Sequence, residues 1–130
     1  SVENIQQRML IQKAVYLAQK LGVKLGYSYG WYLRGPYSPS LTQDYYEVAS
    51  LDGDLQGQLK GPVVEKLQSV RDLMEQKPDN LDLANWLELL ASIDYLKSRS
   101  ALAKPKIEEK LQNNKPHLTD FLDEGFAALA

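Results

Sequence analysis

Side chains able to do chemistry are sparse in this chain of 130 residues. It has a single histidine, His117, and no cysteine. The lack of cysteine removes disulfides, thiol catalysis and cysteine-held metals. One imidazole cannot build a polyhistidine metal site. His117 follows Pro116 at a helix entrance, and Asp120 lies three residues on. A catalytic base needs an orienting carboxylate and a nucleophile, whereas this spacing suits a local contact at the helix entry. Asp52-Gly53-Asp54 has the look of a calcium-loop opening. However, Gln56 and Gln58 take later ligand positions, and Val63 stands where the twelfth-position glutamate belongs. Gly22, Gly26 and Gly30 lack the Gly-x-Gly-x-x-Gly context of a phosphate cradle. Ser38 and Ser40 have no histidine near them. These gaps predict no metal, no cofactor and no catalytic residue.

The tyrosines are the unusual feature. Seven of the eight lie between residues 16 and 46, with Trp31 and Arg34 among them. Two uses compete. Tyr16, Tyr29, Trp31 and Tyr45 can pack in a core with their hydroxyls reaching the surface. Alternatively, the segment is a contact surface, because Tyr, Trp and Arg are enriched where partners bind most strongly. A strand covered on one side turns alternate residues away. With Tyr27, Tyr29 and Trp31 inward, Tyr32 and Arg34 point elsewhere. The candidate partner-binding residues are therefore Tyr32, Arg34, Gly35, Pro36 and Tyr37.

The elements that must position these residues follow from periodicity. Ile5, Met9, Leu10, Ala14, Leu17, Ala18 and Leu21 form one helical stripe between Val2 and Leu21, and Gly22 caps it. Aromatic residues at period two over Tyr27–Arg34 predict a short strand. Gly35-Pro36 reads as the turn that ends it, with a partner strand sought in the Gly-rich stretch 54–61. Ser38-Pro39 reads as an N-cap and first helical residue, leading a helix with Leu41, Tyr45, Val48 and Ala49 inward. Pro62 starts a helix carrying Val63, Leu67, Val70 and Met74. A longer helix over about Leu81–Lys97 has so wide an apolar side that it must be central. A short charged helix over Pro105–Leu111 turns Ile107 and Leu111 inward. Asn113 to Pro116 form a turn, and Thr119 can cap a last helix carrying Leu122, Phe126 and Leu129. The expected fold is mainly α: a compact bundle of about six helices with one short β-hairpin or strand pair near residues 27–34, in a single domain over 1–130.

Two stretches resemble a known family. Gln12-Lys13-Ala14-Val15-Tyr16-Leu17-Ala18-Gln19 resembles the opening helix of the Panacea family of phage-associated, SocA-like antitoxin domains. Those proteins pair it with an aromatic Gly-Pro segment, here Trp31-Tyr32-Leu33-Arg34-Gly35-Pro36-Tyr37-Ser38-Pro39-Ser40-Leu41. Trp86 to Ile93 and the Lys115-Pro116-His117 turn are similar to the uncharacterised YwgA-like proteins. The family pattern has tryptophan three residues before the Gly-Pro glycine, where this chain has Tyr32. The resemblance implies a small, mostly helical cytoplasmic module that acts as an adaptor or neutraliser. It transfers no catalytic residue.

Charge narrows the partner. Residues 1 to 40 carry five basic residues and one acid, but the chain as a whole stands at −2. A DNA-binding domain is usually basic or carries a dense basic stripe. The function expected first is a non-enzymatic protein-interaction module, antitoxin-like or an adaptor of a phage-related or defence system. The alternative is a nucleic-acid-binding regulator with a winged-helix-like element. No run of 18 apolar residues and no basic-then-apolar leader is present, so neither membrane insertion nor secretion is expected.

Overall fold

The computed structural model describes residues 5–22, 26–32, 35–42 and 62–130. They are mainly helical with one two-stranded antiparallel sheet, the fold class the periodicities predict. Helix α1 spans Ile5–Lys20. Gly22 closes it at φ +101°, donating its N–H to the Gln19 carbonyl at 3.0 Å. Few residues other than glycine adopt that backbone cheaply.

Strand β1 is Gly30–Tyr32 and β2 is Gly35–Tyr37, paired Gly30↔Tyr37, Trp31↔Pro36 and Tyr32↔Gly35. This corrects two expectations. Gly35-Pro36 is not the turn after the strand but its partner strand, and only residues 33 and 34 connect the two. Antiparallel ladders alternate between hydrogen-bonded and non-bonded pairs, so a proline facing Trp31 can be accommodated without losing a ladder bond. The strand is also shorter than Tyr27–Arg34. The Gln19 side chain satisfies both the N–H and the carbonyl of Tyr27, at 2.8 and 3.0 Å, which leaves that backbone no need of a strand partner. The stretch 54–61 lies outside the described residues, as do Tyr45, Val48 and Ala49. Residues 39–42 are helical, and the Ser38 hydroxyl accepts the Leu41 N–H at 3.4 Å as an N-cap.

Helix α2 spans Pro62–Glu75, α3 Leu83–Ser98, α4 Lys104–Asn114 and α5 Leu122–Leu129. The Asp82 side chain caps α3 by accepting the Asn85 N–H at 2.8 Å. This helix is the centre of the molecule. It packs against α1, α2, α4, α5 and β2. It buries Trp86, Leu87, Leu89, Leu90, Ala91, Ile93 and Leu96 around most of its circumference, as a helix apolar on nearly all sides must. The Trp86 indole donates to the Leu73 carbonyl of α2 at 2.8 Å, so its one polar atom is not stranded in the core. Ile107 and Leu111 of α4 close the other side, as expected.

The chain end differs in one detail. A 3-10 helix, Pro116–Phe121, precedes α5, and Thr119 sits inside it, donating to the Pro116 carbonyl at 2.8 Å. Thr119 therefore does not cap the last helix; its hydroxyl is engaged by the tight turn that proline starts. No helix among the described residues is long and apolar enough to cross a membrane.

Candidate functional site

The hairpin is built from below. Lys13 lies one turn from Met9 and one turn from Leu17, on the buried stripe of α1. Its ammonium therefore rises through the core and donates to the Pro36 carbonyl at 2.6 Å. The Gln12 side chain works beside it. Its carbonyl accepts the Ser38 N–H at 2.8 Å, and its amide donates to the Ser38 carbonyl at 2.9 Å and to Thr42 Oγ1 at 3.0 Å. Two consecutive residues of α1 thus hold β2 and the start of the next helix in place.

Three polar groups of the core sit under the same hairpin. Glu88 and Ser92 lie one turn apart on α3, both fully buried. Lys115 follows α4, and its Nζ stands 3.2 Å from Glu88 Oε2. His117, half exposed, brings Nε2 to 3.5 Å from Glu88 Oε1. Both contacts are within ion-pair range, yet neither Glu88 oxygen has a partner in hydrogen-bond geometry, and neither does Ser92 Oγ. The attraction between Lys115 and Glu88 is therefore chiefly coulombic, strengthened by the low dielectric around it. Gly35 roofs the group at φ +92°. A Cβ there would come within 2.6 Å of Ser92 Oγ.

Above this base the aromatic side chains divide by depth. Tyr29 is buried, its hydroxyl donating to the Gln12 carbonyl at 3.0 Å. Trp31 is half buried. Its ring lies 5.7 Å from that of Tyr95, with Lys115 Nζ at 5.2 Å and Lys110 Nζ at 5.5 Å from its centroid. Tyr32 is 48% exposed, the only exposed large apolar side chain among the described residues. Its ring meets that of Tyr37 edge-on at 5.1 Å, and the Tyr37 hydroxyl is 2.6 Å from Thr42 Oγ1.

Of the five residues expected to form a contact surface, Tyr32 and Tyr37 come together on one edge of the hairpin. Gly35 and Pro36 are buried, so they shape that edge rather than touch what meets it. Arg34 lies outside the described residues. The polar base was not anticipated. Lys13 interrupts the apolar i, i+4 series Met9–Leu17, and Glu88 interrupts the apolar run Trp86–Ile93. A charge in the middle of a buried stripe is the sequence signal for such a group.

Among the described residues no group of histidine and acid side chains could hold a metal ion. Ser92 is shut away from solvent. The carboxylate beside His117 is Glu88, from another helix, rather than Asp120. No family model, curated protein or solved structure matches the chain.

Proposed function

We propose that this chain is a non-enzymatic protein-interaction module that presents the Tyr32–Tyr37 edge of its hairpin to a protein partner. The observation that carries this reading is the exposure of Tyr32, edge-on to Tyr37, above a hairpin anchored by Lys13 and Gln12. Exposed tyrosines contribute large contact area at low entropic cost, and a hairpin already held in place loses little freedom on binding. The sequence expectation adds Arg34, which lies between the two strands in the chain. The resemblance to Panacea-type domains supports an antitoxin-like or adaptor role in a phage-related or defence system, in the cytoplasm.

The test is affinity purification from native cells with the tagged wild type and a Tyr32→Ala/Tyr37→Ala variant, and separately with Arg34→Ala. A stoichiometric protein lost in the variants, at nearly unchanged melting temperature, supports the reading. Duplex DNA binding that weakens steeply with salt, with no protein bound, replaces it with the nucleic-acid alternative.

A further inference from the structure

A cleft of about 360 Å3 opens where the end of α1, the Tyr27–Tyr29 segment and the last turn of α3 meet. It shares no residue with the Tyr32–Tyr37 edge. Its floor is Asp94, a nearly buried carboxylate. Asp94 Oδ2 accepts the Tyr16 hydroxyl at 2.7 Å, while Oδ1 accepts Ser98 Oγ at 3.2 Å and pairs with Lys20 Nζ at 2.9 Å. Three donors converge on this acid, so it is fixed and has little capacity left for a ligand.

Arg99 differs from every other polar group around the cleft. It is exposed, and its guanidinium lies 5.7 Å over the Tyr95 ring. That charge reaches the Tyr16 phenol, where it acts against the upward push of burial. Yet its guanidinium N–H groups meet no acceptor among the described residues. Lys20 and Arg99 together outweigh Asp94 by one positive charge. Tyr16, Tyr27 and Tyr29 supply the aromatic part of the wall, with Gln19 beside them. Ligand sites combine such aromatic surface with a few placed polar groups. A guanidinium with unmet donors is the group best shaped to grip a carboxylate or phosphate ester with two parallel hydrogen bonds.

We propose that this cleft binds a small, flat organic anion, with its carboxylate or phosphate monoester on Arg99 and its ring against the tyrosines. A cleft of about 360 Å3 is at the small end of ligand pockets. Benzoate and phenyl phosphate are small enough to test it. The site goes beyond partner binding by the hairpin, and either can fail alone.

The experiment is a titration of the isotope-labelled full chain, followed by amide chemical shifts at constant ionic strength. The probes are benzoate and phenyl phosphate, with acetate and inorganic phosphate as headgroups lacking the ring. Saturable shifts centred on residues 16–20, 26–29 and 94–99 are expected, with a dissociation constant of about 1 mM or tighter for one aromatic probe. The tighter aromatic probe identifies the headgroup. Arg99→Gln should weaken that probe about ten-fold with a dispersed, native spectrum. Lys20→Met should weaken it less, and Tyr32→Ala/Tyr37→Ala should leave it unchanged. The proposal is overturned by unsaturable shifts for both aromatic probes, by acetate or phosphate binding as tightly as its aromatic counterpart, or by unaltered affinity in a folded Arg99→Gln protein.

Discussion

Lys115 Nζ stands 3.2 Å from Glu88 Oε2, with the two side chains 1% and 0% exposed. Removing one member of such a pair leaves the other charge buried without its counterion, a cost of about 3–5 kcal/mol. Glu88→Gln should therefore lower the stability by about 3 kcal/mol in urea denaturation. Replacing both by residues of similar volume, Glu88→Met/Lys115→Met, should restore most of that loss, because a buried apolar pair needs no counterion. A double variant less stable than Glu88→Gln would mean that the pair itself, not the isolated charge, stabilises the fold.

Gly35 is required twice, by its backbone and by its neighbour. Its φ of +92° strains any side chain, and a Cβ would meet Ser92 Oγ at 2.6 Å. Gly35→Ala should cost about 2–3 kcal/mol. Gly26 separates the two causes: its φ is +81°, but nothing lies within 4 Å of a Cβ. Gly26→Ala should cost only the backbone share, about 1–2 kcal/mol. Ser92→Ala removes an oxygen that has no hydrogen-bond partner, so it should be nearly neutral alone and should lessen the cost of Gly35→Ala. Additive effects in that double-mutant cycle would show that the Ser92 contact is not what excludes the side chain.

The helices were legible because their signals are local. Gly22, Ser38 and the apolar stripes of α1 and α3 mark ends and faces within a few residues of themselves. The hairpin was half legible. Its aromatic alternation was visible, but Gly-Pro carries the same signature as a turn, and only the pairing with Trp31 makes Pro36 a strand residue. The strand stops short of Tyr27 because a side chain on α1, Gln19, takes up that backbone. The polar base depends on Lys13, Glu88 and Lys115, which are far apart in sequence. Each can be noticed as a charge in a buried pattern or beside a turn, but nothing local says that they meet. The 3-10 turn that absorbs Thr119 is a similar case, since a threonine before an apolar run serves either purpose.

Stability and partner binding should separate at the hairpin edge. Tyr32 is half exposed, and the Tyr37 hydroxyl meets Thr42 Oγ1 in an exposed setting. Tyr32→Ala and Tyr37→Ala should each cost less than about 1 kcal/mol, the scale of one aromatic pair or one exposed hydrogen bond. Tyr29→Ala, by contrast, hollows the core beneath and should cost about 3–5 kcal/mol. Thermal melts of the three variants check this directly. Equal losses in all three would make the exposed edge part of the fold's support and remove the case for it as a contact surface.

Alkaline pH should reveal the buried phenols. Burial, the hydrogen bond to Asp94 and the negative charge of that acid push Tyr16 well above its ordinary value of 10.0. Burial does the same to Tyr29, with the neighbouring Tyr27 adding to it. In the unfolded chain both phenols lose their protons near the ordinary value, while in the folded chain they keep them. Above that pH the folded state binds more protons, so stability is complete below pH 10.0 and falls as pH rises beyond it. Each tyrosine steepens the fall by about 1.4 kcal/mol per pH unit. Urea midpoints from about pH 9 to about pH 11.5 should trace this decline, and Tyr16→Phe/Tyr29→Phe should flatten it while lowering stability at neutral pH through the lost bonds to Asp94 and Gln12. Ultraviolet titration should show both phenolates appearing only as the chain unfolds. An unchanged slope in the double variant would place the alkaline sensitivity in the lysines instead.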